Sequence, residues 1–169
     1  DNVLRKSLTD YTKKFSSSGL DAMILLCEVD DPSKFGVAYI DKEDSLKIKS
    51  IIEKPKNPTS NLAVIGVYFL TPKIFDIIDD LKPSSRGELE ITDALQLLMD
   101  KGNKITYDTV TGWWKDTGTP EDIIHANRLV LDSIGTDEQF MTEKDASIKG
   151  NIIIGNNTDV SRDSSIIGP

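Results

Sequence analysis

The sequence predicts an α/β fold on a mixed or largely parallel sheet, followed by a short coil of a different kind. Three observations carry this. Apolar runs of strand length alternate with segments of helical spacing, as in sheets flanked by helices. Residues 22–29 form a nearly continuous apolar run, the pattern of a strand covered on both faces. Ile148, Ile154, Val160 and Ile166 recur every six residues among Gly, Asn, Thr, Ser and Asp, the period of a hexapeptide β-helix. The expected division is an α/β body over 1–134, a connector over 135–145 and the start of the β-helix over 146–169.

Leu4, Leu8, Tyr11 and Phe15 share one helical face, and the Ser-Ser-Ser-Gly of residues 16–19 closes that helix. After the strand at 22–29, residues 35–40 read as a second strand. Its Gly36 marks either a close approach by a ligand or backbone, or a bulge. A third strand runs over 46–52 into Glu53 and Lys54, stopped by Pro55 and Pro58. Residues 62–70 form the next strand, with Gly66 at its centre. Thr71-Pro72 then opens a helix whose expected inner face is Ile74, Phe75, Ile78 and Leu81. A further helix carries Ile91, Leu95, Leu98 and Met99 inward and ends at Gly102, ahead of a strand over 104–110. Glu88 and Glu90, just before that helix, are accounted for by capping or by the helix dipole.

The segment from Gly112 to Asp122 concentrates several signals. Trp113 and Trp114 end a strand, Asp116 follows at its edge, and Thr119 and Pro120 suit the N-cap and first position of a helix. That helix should turn Ile123, Ala126 and Val130 inward. Asp116 reads either as a solvated turn residue or as a ligand-binding carboxylate, since open α/β sheets place ligand groups at strand termini. The tryptophans are expected in the core or a pocket wall, His125 on the surface or in packing, and Cys27 in the core.

Bulk properties narrow the partners. A formal net charge of −8 argues against duplex nucleic acid, which selects basic faces. The single cysteine cannot form an internal disulfide, which points to a reducing compartment. No apolar run reaches the length of a membrane span, and the first residues do not resemble a signal peptide. A cytoplasmic protein without membrane or nucleic-acid partners is expected.

Six segments, in order, resemble the sugar-1-phosphate nucleotidylyltransferases, most closely the glucose-1-phosphate thymidylyltransferase type with an added β-helix. They are Asp1-Asn2, Phe35-Gly36-Val37, Ile52-Glu53-Lys54-Pro55, Gly66-Val67-Tyr68, Gly87-Glu88-Leu89-Glu90-Ile91-Thr92-Asp93 and Trp114-Lys115-Asp116-Thr117-Gly118-Thr119. The resemblance implies an incomplete Rossmann-like nucleotidyltransferase domain with a mixed sheet, followed by the start of a hexapeptide-repeat left-handed β-helix. The family's opening strand and glycine-rich triphosphate loop have no counterpart here. The chain alone is therefore expected to show little or no activity.

The implied reaction joins a sugar-1-phosphate, glucose-1-phosphate in the first instance, to the nucleotidyl group of dTTP or UTP, with release of pyrophosphate. By the same resemblance Asp1 and Asp116 would hold Mg²⁺, a hard cation that prefers carboxylate oxygens. Lys54 would meet the sugar phosphate, and Glu53 would accept hydrogen bonds from sugar hydroxyls. Gly36 and Gly66 would let backbone approach the substrate, and Tyr68 either lines the sugar pocket or packs in the core. A homo-oligomer is expected, because β-helix appendages commonly assemble. Two alternatives stay open: a non-catalytic sugar-phosphate-binding subunit, and part of a bifunctional nucleotidyltransferase/acyltransferase.

Overall fold

The computed structural model describes residues 2–134, 146–155 and 157–168. The chain divides into two compact units: Asn2 with residues 6–114, and residues 3–5 with the chain from Lys115 onward.

The short strand β1 (Asn2–Leu4) comes first in sequence; in the first unit α1 (Thr9–Ser18) is then followed by β2 (Ala22–Glu28). Helix α1 begins later than the Leu4 periodicity predicts. Val3 and Leu4 belong to a strand, paired in a two-stranded sheet with β7 (Trp114–Asp116). The helix ends at Gly19, whose φ of 65° is the left-handed value that releases a chain from helix. None of its residues is fully buried; Phe15 meets Phe69 with ring centroids 5.9 Å apart.

Strands β3 (Gly36–Ile40), β4 (Ile48–Glu53), β5 (Leu62–Leu70) and β6 (Ile105–Thr109) complete a five-stranded sheet in the order β4-β3-β5-β2-β6. Only β2 and β6 are parallel; β2–β5, β3–β5 and β3–β4 are antiparallel. The sheet is mixed, and the largely parallel alternative fails because three of its strands follow one another without a crossover helix. Strand β2 sits between β5 and β6, and Ala22 to Leu26 are wholly inaccessible. Fully burying one such Leu, Ile or Met side chain is worth roughly 1.5–3 kcal/mol, so this strand is the backbone of the core.

One face of the sheet packs on α2 (Lys73–Ile78) and α3 (Ile91–Asp100) through Ile24, Leu26, Ile51, Ile74, Ile77, Leu95 and Leu98. Helix α2 buries Ile74 and Ile77, while Phe75 and Ile78 are exposed, contrary to the predicted face. With six residues it has fewer than two turns, and only one i, i+3 pair can meet the sheet. Helix α3 keeps Leu95 and Leu98 inward as expected, and Gly102 follows its end at φ 80°. Cys27 is half-buried rather than in the core, and burial pushes its thiol pKa up.

Trp114 opens β7 instead of closing the preceding strand, which stops at Thr109; the second unit takes up the chain from Lys115. Helix α4 (Pro120–Ile134) starts as predicted. The Asp122 amide donates to Thr119 Oγ1 at 3.2 Å, and the Asp122 carboxylate accepts from the Thr119 amide at 3.2 Å, a reciprocal capping box. Ala126 is buried, but Ile123 is exposed, so the inward stripe is narrower than expected. Residues 135–145, the predicted connector, lie outside the described residues. Beyond them β8 (Ser147–Lys149) pairs in parallel with β9 (Ser165–Ile167). Ser147 stands opposite Ser165 and Ile148 opposite Ile166, eighteen positions on, with Val160 and Ile152 buried between. Among the described residues no helix is long and apolar enough to cross a membrane.

Candidate functional site

The ends of β3 and β4 place Gly36 directly opposite Glu53. Thr92, on the first turn of α3 and almost fully buried, donates its hydroxyl to Glu53 Oε2 at 3.1 Å. A Cβ on Gly36 would stand 2.6 Å from Thr92 Cγ2 and 3.1 Å from Glu53 Oε2. Gly36 is thus a glycine because the Glu53–Thr92 pair fills the space a side chain would need. Its close approach is to protein groups.

Lys54 follows immediately. Its amide donates to Phe35 O at 3.0 Å, which carries the β3–β4 pairing one residue further. Its φ is 39°, a left-handed conformation in an exposed, non-glycine residue that also precedes Pro55. Both features are disfavoured for lysine, and such strain collects where a side chain must be aimed.

Gly66 lies in an irregularity of β5 opposite the stretch from Ile24 to Leu26. Its φ is 72°, and a Cβ there would meet Asn2 Nδ2 at 2.9 Å. The irregularity is a β-bulge, and the bulge admits Asn2. Trp114 Nε1 donates to Asn2 Oδ1 at 2.7 Å, and the Trp114 ring stands edge-on to Phe35 at 5.6 Å. Tyr68, two residues beyond Gly66, is half-buried; burial first, and the Glu53 charge second, push its phenol pKa up to about 12.

Arg86 completes the cluster. Its Nη1 lies 3.1 Å from Glu90 Oε1 and 3.6 Å from Glu53 Oε1, and its Nη2 lies 3.0 Å from Glu88 Oε2. Glu90 Oε1 also accepts from Ser84 Oγ at 3.0 Å. Glu90 sits at the N-cap of α3 but makes no capping hydrogen bond, so the capping account of it is corrected here. Sequence reasoning missed Arg86, Glu90 and Thr92 as site residues. One local signal was available: an N-cap filled by Glu, where Ser, Thr, Asp or Asn is favoured.

Of the predicted residues, Gly36, Glu53, Lys54 and Tyr68 come together at one end of the sheet, with Gly66 in the adjoining bulge. Asp116 belongs to the other unit, where it is the last residue of β7 and half-buried. A Cβ on Gly118 would stand 3.5 Å from Asp116 Oδ2, an ordinary van der Waals separation. Asp1 lies outside the described residues. Among the described residues, no three acidic, histidine or cysteine side chains form a metal cluster. A single hard carboxylate such as Asp116 still fits Mg²⁺, which takes one or two protein carboxylates and fills its remaining positions with water and substrate phosphate.

The chain is similar to known proteins along most of its length. A model of the nucleotidyl transferase family matches residues 1–133. The low-salt glycan biosynthesis nucleotidyltransferase Agl11 of Haloferax volcanii is 45% identical over 152 residues, 90% of this chain and 42% of that protein. A glucose-1-phosphate thymidylyltransferase of Streptomyces griseus is 36% identical over 169 residues, 100% of this chain and 47% of its own length. The chain thus spans about half the length of the curated relatives it matches. Among solved structures, a putative glucose-1-phosphate thymidylyltransferase from Bacillus anthracis, in complex with a sucrose, aligns with a TM-score of 0.67 at 43% identity, covering 76% of this chain and 51% of that one. With its mixed sheet, its clustered Gly36, Glu53 and Lys54, and a family match over most of its residues, this chain belongs to the nucleotidyl transferase family.

Proposed function

We propose that this chain supplies the sugar-phosphate side of a sugar-1-phosphate nucleotidylyltransferase. A phosphate oxygen of the sugar-1-phosphate attacks the α-phosphorus of a nucleoside triphosphate. The new P–O bond forms as the bond to the bridging oxygen breaks, and pyrophosphate leaves with that electron pair. Such transfers need positioning and charge cancellation more than covalent help. The observation that carries the reading is the juxtaposition of Glu53, held between Thr92 and Arg86, with the strained Lys54 beside it. A fixed carboxylate accepts hydroxyl protons and an adjacent ammonium meets an anion; a phosphorylated sugar offers both on one molecule. Tyr68 and Gly66 would border the bound sugar.

Asp116 with Asp1 would hold Mg²⁺, which when bound neutralises charge on the crowded phosphates. Glucose-1-phosphate is the substrate we favour, with dTTP or UTP as nucleotide donor, in the cytoplasm; the name of the Streptomyces griseus relative supports glucose-1-phosphate and dTTP. Residues 1–134 would be the nucleotidyltransferase portion and 146–169 the opening of a left-handed β-helix that assembles a homo-oligomer. The eighteen-residue parallel offset of β8 and β9, three hexapeptides to a turn, supports the β-helix part of that reading.

The test is pyrophosphate release from dTTP or UTP, in the complete polypeptide that carries this chain, across a panel of sugar-1-phosphates with Mg²⁺. Release should require both sugar phosphate and metal. Glu53→Gln should lower kcat/KM for the sugar about 10- to 100-fold, the worth of a hydrogen bond to a charged group. Undiminished turnover in Asp116→Ala would remove the metal assignment, and no turnover with any sugar-1-phosphate would remove the function.

A further inference from the structure

Glu90 is the most buried acid in the first unit, yet it caps nothing. Its position opens α3, where Ser, Thr, Asp or Asn would contribute about 1 kcal/mol by capping. Its side chain turns instead to the loop before the helix. Ser84 Oγ and Arg86 Nη1 both reach Glu90 Oε1, at 3.0 Å and 3.1 Å. The same Nη1 is 3.6 Å from Glu53 Oε1, while Glu53 Oε2 is taken by Thr92. The loop is held to this geometry by its backbone: Ser84 N donates to Glu88 O at 2.8 Å and Gly87 N to Ser84 O at 2.9 Å.

We propose that Glu90 is a positioning residue that acts through Arg86 to hold the Glu53 carboxylate in the orientation that accepts sugar hydroxyls. The proposal rests on the functional reading above. A guanidinium has donors in a rigid planar fork, so fixing Nη1 on a buried carboxylate fixes the direction of the whole head. With Thr92 on one oxygen and Arg86 facing the other, the Glu53 carboxylate plane is set by two groups from different elements. Glu88, exposed and on Nη2, is a rim partner contributing less.

The experiment measures steady-state kinetics and sugar-phosphate binding without nucleotide, for wild type, Glu90→Gln, Glu90→Ala and Arg86→Lys, in the complete polypeptide. Glu90→Gln keeps the volume and an acceptor for Ser84 but removes the charge that anchors Arg86. Its KM and dissociation constant for the sugar phosphate should rise about 10-fold, with kcat and the nucleotide KM within about twofold of wild type, the signature of lost ground-state binding. Glu90→Ala should be worse, and Arg86→Lys, a point charge in place of a fork, should reproduce Glu90→Gln. A panel of monodeoxy sugar phosphates gives the decisive comparison. On the analogue lacking the hydroxyl that Glu53 accepts, identified by Glu53→Gln having no further effect, Glu90→Gln should add no penalty. An equal penalty on every analogue, or equal losses in kcat and in both KM values, overturns the proposal. Should Glu90→Gln not fold, the exposed Arg86→Lys carries the same comparison. If wild type neither binds nor turns over any sugar-1-phosphate, the functional reading fails instead, a result distinct from a wild type that works and a Glu90→Gln that works equally well.

Discussion

Lys54 combines two things a lysine backbone avoids, a φ of 39° and a proline directly after it. A non-glycine residue in the left-handed region costs roughly 1–2 kcal/mol, and the following proline narrows its options further. The conformation persists because the Lys54 amide is fixed on Phe35 O and the two prolines turn the chain out of the sheet. Lys54→Gly and Lys54→Ala both delete the ammonium, but only glycine relieves the φ. Glycine also gains unfolded-state entropy worth roughly 0.5–1 kcal/mol against it. The glycine variant should therefore be more stable than the alanine variant by about 0.5–1 kcal/mol in denaturant unfolding, with both lacking sugar-phosphate turnover. Equal stability of the two would mean that strain is not what aims this side chain.

Asp21 does for the elements what Glu53 does for the site. Its amide and carboxylate grip Lys104 from both sides, N to O at 2.8 Å and Lys104 N to Oδ2 at 2.9 Å, so β2 and β6 start in register. Its carbonyl accepts from Thr71 N at 2.9 Å, and Lys73 Nζ lies 2.9 Å from Oδ1, which ties on the start of α2. The Lys73 hydrogen bond, and then the Lys104 amide, hold the Asp21 carboxyl below the usual range. A depressed folded-state pKa adds stability that is present above the unfolded value of about 3.9 and lost as pH falls through the folded one. Asp21→Asn should therefore melt below wild type at neutral pH, with the gap closing on acidification below about pH 4. A gap that stays constant across that range would show the carboxylate's charge to be irrelevant. The elements it joins were largely legible in the sequence, because strands covered on both faces leave continuous apolar runs such as residues 22–26. Helix α4 was legible because Thr119, Pro120 and Asp122 write its start locally. The start of α1 was not, since Leu4 keeps a helical spacing with Leu8 but, with Val3, finds its partner in β7, more than a hundred positions away. The site divides likewise. Gly36, Glu53 and Lys54 stand in short contiguous motifs, whereas Arg86 and Glu90 gain their role only when α3 packs beside the end of β4.

At the scale of the whole chain, the candidate sugar site lies within one unit and the β8–β9 segment, the proposed coil, within the other. The residues that set Glu53, namely Gly36, Arg86, Glu90 and Thr92, all fall in 6–114. The coil has its own small interior, with Val160 and Ile152 each 6% exposed and Ile153 and Ile167 turned out. Of the four aliphatics at the expected six-residue spacing Val160 is buried, and Ile152, which falls off that spacing, is buried as well. Such coils gain stability mainly from stacked neighbours, and a single turn has little to spare. A charge placed at Val160 is buried without a partner and costs several kcal/mol. Val160→Asp should therefore open the coil, giving rapid tryptic cleavage at Lys149 and Arg162. Amide protection in β2 and β5 should stay at wild-type level, because the core of Ile24, Leu26, Val64 and Leu95 contains no residue of the coil. Loss of protection in β2 together with coil cleavage would show that the two units fold as one cooperative body, and that the apolar interior of 22–26 is not sufficient to hold the sheet that carries Glu53.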